Sequence, residues 1–200
     1  LMMVGYAILI GYYHRGWTEL REYQPSEKTP NTFISVVIAA RNEEKNINDL
    51  LASLQKQNYP ASLFEIIIID DNSTDKTWQL LQDAQFRHPS LKSIQMDNGA
   101  YKKKAIETGI RAASGTLIVT TDADCCFAPG WLSTLAAFHE EKQAKFIAAP
   151  VLMKHKRNLL TLFQSLDFLT LQGITAASVH KRFHSMCNGA NLAYEKSAFM

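Results

Sequence analysis

The strongest constraint on this chain is an alternation. Short apolar runs rich in β-branched residues, "FISVVIAA" (33–40), "FEIIIID" (64–70) and "TLIVTTD" (116–122), are separated by stretches of helical periodicity. A continuous apolar run of this length is the pattern of a strand covered on both faces. "LKSIQM" (91–96) is a fourth strand candidate. After the first run, Ile47, Leu50, Leu51 and Leu54 recur at helical spacing until Pro60, and "STDKTWQLLQDAQFRHP" and "KKKAIETGIRAAS" supply two further helices. Asp71, Asn72 and Ser73 stand ahead of the second helix, where short polar side chains are expected to cap free N–H groups. Strands alternating with helices predict an α/β fold with a mostly parallel sheet and right-handed crossovers. With 200 residues, 46% of them hydrophobic, the chain is long enough for one domain with a sizeable core.

In such sheets ligands gather at the carboxyl ends of the strands. Here those ends carry "AARNEE", "IDDNSTD" and "TTDAD". Independent solvated turns would not require this coincidence of charged and amide groups at one edge. Asp122 and Asp124 are two residues apart, so in an extended segment they point to the same side and repel unless water or a cation lies between them. Oxygen ligands of this kind suit a divalent cation, with a diphosphate completing its coordination. Lys102, Lys103 and Lys104 precede the third helix and either face the same anion or form a solvated face. A net charge of +2 is too small to make nucleic acid the main partner. Nor do aromatic residues interleave with the basic runs.

The flanking segments are less regular. Cys125, Cys126 and Cys187 form no CxxC pair, which predicts reduced thiols. The histidines of "HKRFH" (180–184) lack companions for a zinc site. The opening "LMMVGYAILIGYY" is apolar but shorter than the ~20 residues that cross a bilayer. Tyr12, Tyr13 and Trp17, with His14, Arg15 and Arg21, resemble an aromatic belt and a positive-inside flank. Residues 1–16 are therefore expected to be the remnant of a transmembrane helix, 17–32 a linker, and 33–200 the main domain. On that reading the domain faces the cytoplasm at the inner (plasma) membrane; a buried N-terminal helix is the alternative. "LLTLFQSLDFLTLQGITAAS" (159–178) is interrupted by Gln164, Asp167 and Gln172. It reads as an amphipathic helix on a membrane or along an acceptor path, or as a core or dimer-packing helix. "KHKR" (154–157) ahead of it suits acidic lipid headgroups.

Five segments in order, "SVVIAARNEEKNI", "IIIIDDNSTDKT", "KKKAIETGIRAASG", "IVTTDADC" and "NGANLAYEKSAF", resemble glycosyltransferase family 2, the inverting enzymes of GT-A fold. The resemblance covers Ile34 to about Phe199. It implies a GT-A, Rossmann-like domain, a nucleotide-sugar donor with UDP the commonest, a Mg or Mn ion, inversion at the anomeric carbon, and a glycan or lipid-linked acceptor. By position, Ala39, Arg41 and Glu43 fall in the segment that wraps the nucleoside, and Asp71 on the acid that bonds the nucleobase. Lys104 falls where the family often has a basic residue near the donor. Asp122 matches the acid directed to the ribose or donor sugar, and Asp124 the metal ligand. Gly189 and Asn191, with Asn188, resemble the turn on the sugar and acceptor side, though an ordinary loop would look alike. The family's catalytic base lies beyond the segment resembling "NGANLAY". It is therefore expected after Met200, with the domain incomplete at that end, and Glu195 in a helix start is not expected to replace it.

Two other readings compete. A nucleotidyltransferase would carry a Gly-rich phosphate loop near the first strand, and "AARNEE" has no glycine. A response-regulator-like signalling module would want one acidic cluster and a lone lysine after a later strand.

Overall fold

The computed structural model describes residues 2–26, 28–97, 101–153, 158–183 and 187–199. The apolar runs become strands because each has helices to cover it. β1 (Ile34–Ala40), β2 (Phe64–Asp70), β3 (Leu91–Gln95) and β4 (Leu117–Asp122) lie parallel, joined through helices α2 (Ile47–Gln55), α3 (Thr77–Arg87) and α4 (Tyr101–Ala112). The alternation expected from the sequence is the alternation observed.

Two later strands complete a six-stranded sheet in the order β3-β2-β1-β4-β6-β5. β6 (Asn191–Glu195) runs antiparallel to β4, and β5 (Phe146–Ala148) antiparallel to β6. Neither carries a long β-branched run, so the sequence reading did not find them. Helix α5 (Trp131–Lys142) also went unread.

Side-chain alternation divides the core. Val36, Ile38, Ile66, Ile68 and Val119 pack on one face with Leu50, Leu54, Leu81, Leu132 and Leu135 of α2, α3 and α5. Val37, Ile67, Ile69 and Ile118 pack on the other with Ala105 and Ile110 of α4. Helix α4 approaches closely because Gly109 has no side chain: a Cβ there would lie 2.4 Å from Val37 Cγ1 and 2.5 Å from Ile69 Cδ1.

The chain forms two compact units. The α/β unit is residues 25–149 with 189–200, and the second unit is residues 1–24 with 150–188. The second consists of α1 (Met2–Glu19) packed on α6 (Leu159–His180). Gly16 sets their approach, since its Cβ would stand 3.0 Å from Ala177 Cβ. Lys181 donates to the Glu19 carboxylate, which also takes Arg15 Nε at 2.9 Å. Among the described residues no helix is long and apolar enough to cross a membrane. "KHKR" and His184 lie outside the described residues.

Candidate functional site

The strand register brings three motif-bearing ends level. Ala39 lies between Ile69 of β2 and Asp122 of β4, and the next residue, Ala40, pairs with Asp70. The segments "AARNEE", "IDDNSTD" and "TTDAD" therefore leave the sheet side by side at its carboxyl edge.

The first two loops hold each other. Asn42 and Asn72 both take left-handed φ, at 58° and 57°, which asparagine tolerates better than most residues. Asn42 N donates to Ser73 Oγ at 2.9 Å, and Asn42 Oδ1 accepts from Thr74 N at 2.8 Å. Glu44 N donates to Asp75 Oδ2 and Lys76 N donates back to Glu44 Oε2, both at 3.2 Å. Glu43 N donates to Thr77 Oγ1, while the Glu43 carboxylate accepts from Asn46 Nδ2 at 2.6 Å. Burial opposes the charge on Asp75, but hydrogen bonds from Thr77 and from Glu44 N outweigh it and hold the carboxyl below its usual range. Much of both motifs is thus loop structure, which the sequence reading missed. The capping expectation is corrected as well. Helix α3 begins at Thr77, and the acid that accepts from Thr77 N, at 2.9 Å, is Asp75 rather than Asp71, Asn72 or Ser73.

What this stitched pair presents is Asp71 with Arg41. Asp71 is 4% exposed, and Arg41 Nη1 lies 3.7 Å from its Oδ2. Beneath it Asp70 is fully buried, with Oδ2 accepting weakly from Ser73 N and Gln95 Nε2 at 3.3 and 3.4 Å.

The third corner departs from the extended geometry expected for Asp122 and Asp124. The strand ends at Asp122 and the chain turns, with Cys125 N donating to Asp122 O at 3.3 Å. Asp124 is exposed in that turn, so the two acids do not share a strand face. Cys125 Sγ lies 3.9 Å from Asp124 Oδ1, and burial pushes the Cys125 thiol up from its ordinary value. None of the three cysteines is in a disulfide. Lys102 Nζ donates to Asp122 Oδ1 at 2.5 Å. Lys104 turns instead to Glu107, at 3.2 Å. Helix phase decides which member of the lysine run reaches Asp122, and it is Lys102. Lys102, Asp122 and Gly189 border a cleft of about 430 Å³ whose floor includes Ile106, Leu192, Tyr194 and Phe199. Burial pushes the Tyr194 hydroxyl up against a hydrogen bond with Thr120.

The "GAN" turn enters the edge from β6. Asn191 pairs with Thr121, and its side-chain Oδ1 accepts from Trp131 Nε1 at 2.9 Å. Asn191 is buried and ties this turn to α5, a use the sequence did not suggest. Glu195 closes a strand rather than opening a helix, since α7 (Lys196–Phe199) starts after it. It pairs with Leu117, the first residue of β4. Four residues of strand, ~13 Å, separate it from Asn191 at the other edge, so Glu195 is excluded from chemistry at Asp122.

The description "Glycosyl transferase family 2" matches residues 35–199. The chain belongs to this family. Among family 2 relatives, the beta-monoglucosyldiacylglycerol synthase of Nostoc sp. is 30% identical over 88% of this chain and 40% of that protein. The poly(ribitol-phosphate) beta-N-acetylglucosaminyltransferase TarS of Staphylococcus aureus is 34% identical over 54% of this chain and 19% of its own. The chain thus spans 40% or less of the length of these curated relatives. The solved mannosyltransferase PcManGT from Pyrobaculum calidifontis, in complex with GDP-Man and Mn2+, superposes with a TM-score of 0.74. It covers 97% of this chain and 54% of that one at 21% identity, a likeness of fold. TarS 1-349 in complex with UDP-GlcNAc gives a TM-score of 0.54 at 29% identity, over 62% and 35% of the two chains. The fold is therefore GT-A, as the resemblance implied.

Proposed function

We propose that this domain binds a nucleoside diphosphate sugar at the carboxyl edge of β2, β1 and β4 and serves its transfer, with inversion, to an acceptor hydroxyl. The observation that carries this reading is the register that sets Ala39 beside Asp122 and Ala40 beside Asp70, which aligns a nucleoside corner with an acidic corner. Asp71 offers a nearly buried carboxylate to an N–H donor on a base, and Arg41 flanks it with a planar cation. UDP is the donor nucleotide we favour, supported by the UDP-GlcNAc bound in the TarS complex. Ala39 and Glu43 shape the nucleoside loop, and Gly189 borders the donor-sugar side. Asn191 supports that turn through Trp131, and Lys104 supports the helix that presents Lys102.

Asp122 and Asp124 fit a divalent metal on the chemistry of the donor set. Both are carboxylates, Asp124 is open to solvent, and Asp122 already attracts an ammonium. No group of three or more His, Cys, Asp or Glu among the described residues is arranged to hold a metal. Mg-type ions need no more than one or two carboxylates when a substrate phosphate completes the shell. Such a cation, Mg or Mn, supplies Lewis-acid stabilisation of the departing diphosphate. The chain's own contribution is to fix the nucleoside at Asp71, orient the diphosphate towards Lys102 and hold the sugar over the Gly189 turn. Transfer to a hydroxyl also needs a general base to take the acceptor's proton.

The helical unit supports a membrane-bound setting with a lipid or glycan acceptor. Leu159, Leu160, Phe163 and Leu166 of α6 and Met2, Met3 and Ile8 of α1 are exposed. Outward apolar surface of this extent marks an interaction site, and we favour a membrane as its partner. The inner (plasma) membrane with the α/β unit on the cytoplasmic side is the localisation we favour.

Calorimetry with UDP, GDP and CDP, each with Mn2+, tests the donor reading. UDP should bind most tightly and require the metal. Equal affinities for all three, or none, would reject it.

A further inference from the structure

Resting on the donor-site reading, we infer that Lys102 is an exchanging cation: it yields Asp122 to the divalent metal and takes up the diphosphate. Two independent observations lead there. First, the Lys102 ammonium sits on Asp122 Oδ1 at 2.5 Å, on an oxygen that a metal bound at Asp122 would claim. A carboxylate oxygen bound to a hard cation loses most of its attraction for an ammonium, so the two cations compete. Second, Lys102 and Lys103 stand in the first turn of α4, which contains no acidic residue. That end of a helix carries partial positive charge and free N–H groups, which disfavour lysine and favour an anion. Asp122, from another strand, is the counter-ion that makes Lys102 tolerable there.

The environment permits the exchange. The Lys102 side chain is 59% exposed and that of Asp122 32%, so the pair is not locked by burial. An exposed pair of this kind is weak enough for a divalent ion to displace. The ammonium released from Asp122 then lies at the helix end with no acid in its own turn, and the phosphates that accompany the metal are the anion available. Lys104 points elsewhere, to Glu107 at 3.2 Å, whose carboxylate also takes Arg111 Nη2 at 2.9 Å. Metal and nucleotide therefore bind with positive coupling, and part of that coupling passes through one side chain.

The exchange predicts effects of opposite sign from one substitution. In Lys102→Gln, Mn2+ without nucleotide should bind about fivefold more tightly, because its competitor is gone. UDP in saturating Mn2+ should bind about tenfold more weakly, because a charged hydrogen-bond donor to phosphate is gone. Uridine affinity should not move. Lys103→Gln removes the same charge one residue along and measures the general electrostatic share, which should be under about twofold for Mn2+. All of these are calorimetric titrations of the folded protein, with far-UV circular dichroism confirming the fold. Mn2+ affinity unchanged or weakened in Lys102→Gln overturns the exchange. Tighter Mn2+ with unchanged UDP affinity also overturns it, reducing Lys102 to a counter-ion. If the unaltered protein binds neither Mn2+ nor UDP, the donor-site reading fails and the exchange falls with it.

Discussion

In the α/β unit Ile34, Ile38, Ile67 and Ile68 are fully buried, whereas in the helical unit Ile8, Leu160, Phe163 and Leu166 are between 56% and 69% exposed. Both units are rich in apolar residues, so composition does not separate them. The difference lies in what covers them. The sheet has helices on both faces, and its strands exclude water from each side. Helices α1 and α6 have chiefly each other, and only Gly16, Ala177 and Ser178 become buried along them. One unit is stabilised by its own core. The other leaves most of its apolar side chains exposed.

The largest test of this contrast is a matched pair of truncations. Ile68→Ala should cost about 3 kcal/mol of stability, through lost transfer energy and a residual cavity. Leu166→Ala should stay within about 0.5 kcal/mol, as exposed sites do. Urea or thermal melts of both variants check this, and similar losses would mean that α6 is packed in solution. Leu166→Glu should leave the melt unchanged yet reduce co-sedimentation with anionic vesicles.

Glycines at the two close approaches should rank the same way. Gly109→Ala forces a Cβ to 2.4 Å from Val37 Cγ1 and 2.5 Å from Ile69 Cδ1, inside a packed core. Such overpacking costs about 1–3 kcal/mol. Gly16→Ala meets Ala177 Cβ at 3.0 Å in a helix pair with open surroundings, so a smaller shift of the melt is expected.

Within the α/β unit, Asp124→Asn should weaken Mn2+-dependent UDP binding by about tenfold through loss of one charged ligand. The melting midpoint should hold, since Asp124 is exposed. Asp71→Ala should reduce discrimination between UDP and other nucleoside diphosphates; equal loss for all bases would make Asp71 a loop residue.

The smallest effect concerns pH and the helical unit. The hydrogen bond from Lys181, then that from Arg15, lowers the Glu19 carboxyl from 4.5 to about 2. A depressed carboxyl adds stability that is complete above the unfolded value and disappears as pH falls through the folded one. The helicity difference between the unaltered protein and Glu19→Gln should therefore be constant above pH 4.5, shrink below it, and vanish near pH 2. A difference that persists below pH 2 would show that the glutamate acts through packing rather than charge.

The sequence by itself determined the parallel half of the sheet, its helices and the acidic character of its carboxyl edge. Those features follow from local rules: apolar runs need two covered faces, and helical spacing persists over several turns. The family segments were legible for the same reason, since each is contiguous. Tertiary structure decided the rest. Lys102 meets Asp122 while Lys104 meets Glu107 because rotation about α4 and the position of β4 select the partner. Asn191 serves Trp131 because an antiparallel strand brings residues sixty positions apart together. Glu195 lies at the far edge for that same strand direction. Asp124 leaves the strand that carries Asp122 because a turn ends the extended chain there. Each outcome depends on which backbone groups find partners across the sheet, and residue spacing carries no information about a neighbour that is distant in the chain.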